Sequence, residues 1–98
     1  MRLSDFEIQH IINTVLAFDT QAKVILFGSR VDDTARGGDI DLLVISKQIT
    51  LADELKLKIQ LYDGLGEQKI DLIIRKDADS AFAQHAITTG VELCQKNN

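Results

Sequence analysis

The chain has 98 residues, of which 45% are hydrophobic and 27% charged, and this balance indicates one globular domain spanning 1–98. Its formal net charge of -4 argues against nucleic acid as the main substrate, because nucleic-acid affinity usually depends on clustered Lys and Arg. No apolar run approaches the roughly 20 residues of a membrane span, and the single Cys94 cannot form an internal disulfide, so we expect a soluble, cytoplasmic protein with Cys94 buried.

A helix and a strand are predicted at the start of the chain. Ser4 and Glu7 form a capping-box pattern, and apolar residues then recur at helical spacing, which predicts an amphipathic helix over 5–18. The short, fully apolar run 24–27 is typical of a buried strand. The segment 31–38 is polar, so we expect a loop there.

The middle of the chain alternates strand and helix. A second buried strand is predicted over 40–45. Thr50 is placed as the N-cap of a helix over 51–63, and Gly64 is predicted to end that helix. Residues 69–75 are then predicted to form a third strand.

The last two elements complete a mixed α/β pattern. Asp79 or Ser80 is expected to cap a helix that runs to about Thr89 and ends at Gly90, and the alternating run 91–94 predicts a short edge strand. The resulting order is helix, strand, strand, helix, strand, helix, strand. We therefore expect an α/β fold with a small mixed sheet flanked by helices.

The helix over 51–63 carries more apolar residues than a single core-facing stripe needs. One set lines one side of the predicted helix: Leu51, Leu55, Ile59 and Tyr62. A second set widens the stripe: Leu57, Leu61 and Leu65. This surplus is either further core or a surface for a second copy of the chain or another protein, which would help a core of this size.

Two acids are set into the second predicted strand. Asp39 and Asp41 are two residues apart, so on a strand they face the same side with Cα atoms about 7 Å apart. Like charges so placed repel each other unless a cation joins them, and magnesium binds to one or two carboxylates plus substrate phosphates. The alternative is a strand end at the surface.

A third acid interrupts the third predicted strand. Asp71 stands alone within an apolar run, and it completes a three-carboxylate cluster if its strand lies beside the second one. Three acids suit two metal ions. The alternative is an exposed charge on an edge strand, where it blocks aggregation.

Gly28, Ser29 and Arg30 follow the first buried strand directly. Glycine permits a tight turn there, so that free backbone N–H groups can face the anionic phosphates of a nucleotide. The Ser29 hydroxyl can add a hydrogen bond, and Arg30 either binds phosphate or braces a nearby acid. This is not a Walker loop, because no glycine is followed by lysine.

Taken together, these segments resemble the minimal nucleotidyltransferases of the DNA polymerase β superfamily. The segments that carry the resemblance are Leu26–Arg30, Gly37–Gly38, Asp39–Val44, Ile70–Ile73 and Gly90–Leu93. Two positions differ, since many relatives carry a glycine soon after the Gly-Ser-Arg run and a serine before the first metal-binding acid, where this chain has Asp33 and Gly38.

The resemblance implies a reaction and a division of roles. Asp39 and Asp41 would bind two Mg²⁺ ions, Gly28 and Ser29 would hold the β- and γ-phosphates of ATP, and Asp71 would help to activate the attacking hydroxyl. The expected reaction is transfer of AMP from ATP to a hydroxyl acceptor.

The resemblance also implies a partner. Small members of this family resemble the antitoxins of toxin–antitoxin pairs, in which the nucleotidyltransferase silences a helical HEPN RNase toxin by adenylylation. Two alternatives stay open. One is a nucleotide-binding antitoxin that neutralises its partner by contact alone, and the other is a catalytic subunit for a small acceptor such as an aminoglycoside.

Overall fold

The computed structural model describes residues 2–32, 38–66 and 68–93. Its elements, in chain order, are α1 (Asp5–Phe18), β1 (Lys23–Phe27), a 3₁₀ turn (Gly28–Val31), β2 (Ile40–Ile45), α2 (Leu51–Leu65), β3 (Ile70–Arg75), α3 (Ala81–Thr89) and β4 (Val91–Leu93). The predicted α/β class is confirmed. Cys94 and most of the predicted loop 31–38 lie outside the described residues. No described helix is long and apolar enough to cross a membrane.

The four strands form one mixed sheet in the order β3-β2-β1-β4. β1 is antiparallel to both β2 and β4, whereas β2 and β3 are parallel. The helices cover both faces. α1 and α2 pack on one face with the larger core cluster, and α3 packs on the other through Ala83 and Ala86 against Ile25 and Leu43.

The helix starts follow the predicted caps. Ser4 and Glu7 form a complete capping box at α1, and Ser80 accepts a hydrogen bond from the Ala83 N–H at α3. Thr50 caps α2 with Asp53 in a second complete capping box. These local contacts satisfy backbone N–H groups that a helix leaves unpaired at its start.

The predicted end of α2 at Gly64 is wrong. The helix continues to Leu65, and Gly66 ends it with a φ of 73° and an N–H that donates to the Tyr62 carbonyl. Gly64 instead permits close packing of α1, because a Cβ at this position would overlap the imidazole of His10. That imidazole makes hydrogen bonds of 3.0 Å and 3.2 Å with the Gln60 and Leu61 carbonyls.

The two apolar sets of α2 lie on different sides of the helix, and of the two alternatives for the second set the structure shows further core. Leu57, Leu61 and Leu65 are buried in the core. Leu51, Leu55 and Ile59 face outward, with 85%, 66% and 52% of their surface exposed. Both sets have helical spacing, so periodicity alone does not tell which of them meets the sheet.

Truncating one leucine from each set should therefore have unequal effects. Leu57→Ala should lower the free energy of unfolding by about 3 kcal/mol, since it leaves a cavity in the core. Leu51→Ala, the matched control, should change it by less than about 0.5 kcal/mol. Urea denaturation at dilute protein concentration measures both, and equal losses would contradict the assigned orientation of α2.

Candidate active site

The site begins where β1 ends. Gly28 opens the 3₁₀ turn with a φ of 76°, in the left-handed region that glycine tolerates best. A Cβ at this position would also overlap Oδ2 of Asp41, so the backbone of the turn passes directly over that carboxylate. Glycine is required here both for conformation and for space.

The Ser29 hydroxyl lies against Gly38. A Cβ at Gly38, whose φ is 92°, would overlap the Ser29 Oγ. Arg2 supports the same turn from outside, because its guanidinium donates to the carbonyl oxygens of Ser29 and Asp32, each at 2.9 Å. The sequence interpretation missed Arg2, and no local signal marks a contact between residues so far apart in the chain.

Arg30 is engaged in a network that joins the turn to α1 and to the start of β3. Its guanidinium donates to the Arg2 carbonyl at 3.0 Å, to the Gly38 carbonyl at 3.3 Å and to Gln68 Oε1 at 2.6 Å. Gln68 in turn donates to Glu7 Oε2 at 2.7 Å. The hydrogen bonds of Arg30 thus hold the turn in place, and its proposed contact with phosphate stays a prediction.

Asp41 and Asp71 lie side by side. The parallel pairing of β2 with β3 places these two residues opposite each other, and their carboxyl groups are hydrogen-bonded. Burial, the hydrogen bond to Asp71 and the negative charges of Asp71 and Asp39 raise the pKa of Asp41 from 3.8 to about 6. The pair therefore carries negative charge that its surroundings do not fully compensate, and a divalent cation would neutralise it.

Asp39 is placed differently from the other two acids. It lies one residue before β2, and its Oδ2 is 3.6 Å from Lys69 Nζ, in an ion pair with both side chains well exposed. Across residues 2–32, 38–66 and 68–93, no three acidic, histidine or cysteine side chains are close enough together to hold a metal ion. The structure thus brings Asp41 and Asp71 together, with Asp39 beside them and turned toward Lys69.

Lys69 was not singled out in the sequence. It precedes β3 just as Asp39 precedes β2, so the register that pairs Asp41 with Asp71 also brings Lys69 next to Asp39. The positive charge of Lys69 partly offsets the factors that raise the pKa of Asp41. The run Lys-Ile-Asp, set against Asp-Ile-Asp in a parallel strand, was the signal available for this contact.

An aromatic pair lies beside the carboxylates. Phe27 is the cross-strand partner of Asp41, and residues paired in this way point to the same face of a sheet. Its ring meets that of Phe82 from α3 edge to face, with 5.5 Å between centroids. The acids therefore lie on the face of the sheet that α3 covers, next to an apolar wall.

The raised pKa of Asp41 makes the effect of Asp41→Asn depend on pH. Between about pH 4 and 6 the folded chain binds more protons at this site than the unfolded chain, so stability falls as pH rises through this window. Asp41→Asn should therefore stabilise the fold by about 1 kcal/mol at pH 7, a figure reduced for solvent screening of a partly exposed group. Most of that gain should be absent near pH 4. Urea unfolding at pH 4 and pH 7 measures this gain in stability, and an equal gain at both pH values would contradict the raised pKa of Asp41.

Known proteins match this chain in sequence family and in fold. The family described as "Polymerase beta, Nucleotidyltransferase" matches residues 9–98. The crystal structure of a mutant of the toxin–antitoxin MntA-HpeT superposes with a TM-score of 0.71 at 21% identity, covering 91% of this chain and 73% of that chain. No curated protein matches. The match over nearly all of the sequence shows that the chain belongs to the polymerase beta nucleotidyltransferase family.

Proposed function

We propose that this nucleotidyltransferase transfers AMP from ATP to a hydroxyl group of a helical HEPN-type toxin and so acts as its antitoxin. The observation that carries the proposal is the pairing of Asp41 with Asp71 directly under the glycine turn at Gly28. This arrangement puts a glycine turn with free backbone N–H groups and two carboxylates at one place, which supports phosphoryl-group transfer.

In this proposal the turn holds the triphosphate and the acids hold the cations. Backbone N–H groups after Gly28 and the exposed Ser29 hydroxyl donate hydrogen bonds to the β- and γ-phosphates. Asp39, Asp41 and Asp71 supply the carboxylate oxygens that hard divalent cations prefer. Two bound Mg²⁺ ions would neutralise the triphosphate and stabilise the charge that develops in the transition state.

The reaction is an in-line displacement at the α-phosphorus. The acceptor hydroxyl oxygen forms a bond to the α-phosphorus, the bond from that phosphorus to the bridging oxygen breaks, and pyrophosphate leaves with that oxygen. Asp71 accepts the proton that the hydroxyl loses as the new bond forms. Asp71 suits this role because β3 forms the edge of the sheet, where the acceptor can approach.

In this proposal the acceptor approaches from the α3 side. Asp41 shares its face with Phe27, and the Phe27–Phe82 wall offers an apolar contact for whatever carries the hydroxyl. The outward set of α2 lies on the side of the sheet away from α3. The proposal of a toxin partner is supported by the fold shared with a toxin–antitoxin protein, together with the complete set of acids.

Substitutions at the site should separate nucleotide binding from transfer. Changing both Asp39 and Asp41 to Asn should abolish Mg²⁺-dependent ATP binding. The Asp71→Asn variant should instead retain most of its affinity for ATP and lose the ability to transfer AMP. Ser29→Ala should weaken ATP binding by about 1 kcal/mol, for one lost hydrogen bond, and still transfer. Calorimetry with MgATP and a transfer assay measure both properties.

The acid pair before α3 offers a matched control for these substitutions. Asp77 and Asp79 have the same spacing as Asp39 and Asp41, but Asp77 Oδ1 accepts a hydrogen bond from the Asp79 N–H in a turn. Asn at Asp77 and Asp79 should leave ATP binding and transfer unchanged. Normal transfer by Asp71→Asn would contradict the proposed role of Asp71.

Co-expression with the protein encoded by the adjacent gene tests the acceptor. After co-expression with the wild-type chain, the intact mass of that protein should increase by one or more AMP groups. It should not increase when Asp39 and Asp41 are both changed to Asn. The Asp77 and Asp79 double variant should modify it like wild type. A toxin that is neutralised at unchanged mass, equally by wild type and by the Asp39 and Asp41 variant, would instead show neutralisation by contact alone.

A further inference from the structure

Lys69 and Asp39 form an ion pair at the edge of the candidate active site. Lys69 Nζ lies 3.6 Å from Asp39 Oδ2, and 68% and 41% of the two side chains are exposed. This separation is longer than that of a hydrogen bond, and an exposed ion pair contributes at most about 1 kcal/mol to stability. The pair is therefore easily exchanged for stronger partners, and the proposed reaction offers a stronger partner to each residue.

Asp39 cannot join the other two acids around a cation while it is turned toward Lys69. In the described part of the chain no three acidic, histidine or cysteine side chains are close enough together to hold a metal ion. Asp39 and Asp41 are two residues apart at the start of β2, so rotation of the Asp39 side chain away from Lys69 brings its carboxylate toward Asp41 and Asp71. Binding of a cation by all three acids therefore requires the Lys69–Asp39 pair to open.

The backbone beside this pair is fixed, so opening the pair needs only rotation of side chains. The Ile40 N–H donates to the Lys69 carbonyl at 2.9 Å, next to the parallel pairing of β2 with β3. β1 is antiparallel to β2, so it ends, and the Gly28 turn begins, where β2 and β3 start. A Lys69 side chain that leaves Asp39 therefore lies at the same end of the sheet as a triphosphate on that turn.

The two arginines beside the turn are already engaged with the protein. Arg2 donates to the carbonyl oxygens of Ser29 and Asp32, and Arg30 donates to three oxygens of the chain. Lys69 is held instead by an exposed ion pair, and a lysine ammonium is a flexible point charge that binds phosphate. Of these three cations, Lys69 is the one most easily turned to a phosphate.

We propose that Lys69 exchanges partners when the metal–nucleotide complex binds: it leaves Asp39, which turns to the cation, and its ammonium moves to the triphosphate. The inference rests on the proposed function, because it takes the three acids as the cation site and the Gly28 turn as the triphosphate site. Each half of the exchange releases the residue that the other half needs, so the cation and the triphosphate promote each other's binding. A cation alone has to displace Lys69 without offering that lysine a new partner.

Calorimetry on the full chain, with Mn²⁺ alone and with MgATP, measures the two halves separately. Lys69→Gln should bind Mn²⁺ about fivefold more tightly than wild type, since no ammonium competes for Asp39. The same variant should bind MgATP about fivefold more weakly, because the lost charged donor outweighs the ion pair that no longer has to break.

Lys47→Gln is the control of equal charge. Lys47 is an exposed lysine beyond the other end of β2, where salt screens its charge from the acids. This variant should change the affinities for Mn²⁺ and for MgATP by less than about twofold.

A double-mutant cycle distinguishes exchange from a simple effect of charge. It measures binding of inorganic triphosphate in the presence of a chelator, so that no divalent cation takes part. Asp39→Asn should bind triphosphate about tenfold more tightly than wild type, because Lys69 is released and one repelling charge is lost. In the Lys69→Gln background, Asp39→Asn should raise the affinity only about twofold, from the lost repulsion alone. An equal gain in both backgrounds would overturn the exchange.

The same measurements separate failure of this inference from failure of the proposed function. A wild-type chain that binds neither Mn²⁺ nor MgATP would defeat both. A wild-type chain that binds both ligands, with the affinities of Lys69→Gln unchanged or only one of them altered, would overturn the exchange and leave the proposed function standing.

Discussion

The site depends on one close approach, that of the Gly28 backbone to the Asp41 carboxylate. Antiparallel pairing places Phe27 across from Asp41, so the chain leaving β1 must cross directly over that side chain. Parallel pairing with β3 then sets Asp71 against its other side. The carboxylate of Asp41 is thereby held between the turn and the second acid, and the distance from the turn to the acids is fixed by strand pairing.

This arrangement is electrostatically unfavourable for the protein alone. Burial and neighbouring acids raise the pKa of Asp41 to about 6, although Lys69 lowers it in part. The opposite face of the same strand offsets this cost, because Ile40, Leu42 and Val44 are completely buried. Strongly perturbed carboxylates at the end of an otherwise well-packed strand are typical of functional sites, where charge is kept for a ligand to neutralise.

Local physics explains which features the sequence could predict. The caps at Ser4, Thr50 and Ser80 are hydrogen bonds between residues three apart. The sequence pattern that predicts each cap therefore contains both of the residues that form it. The proximity of Asp41 to Asp71 required one further assumption, that their strands are neighbours. The structure confirms that assumption, because β2 and β3 pair in parallel with Asp41 opposite Asp71.

The features that the sequence did not predict depend on contacts between distant segments. Gly64 leaves room for the His10 ring of α1 instead of ending the helix, which no local pattern shows. Which leucines of α2 meet the core is decided by how α2 lies on the sheet. The contact of Arg2 with the Ser29 turn likewise cannot be predicted from neighbouring residues, because the two are far apart in the chain.

The sheet also separates two kinds of surface. Its α3 face carries the acids and the Phe27–Phe82 wall, and its other face carries α1 and α2 with the larger core cluster. The charged site and most of the apolar packing are thus on opposite faces of the sheet. The acids therefore do not interrupt the larger core.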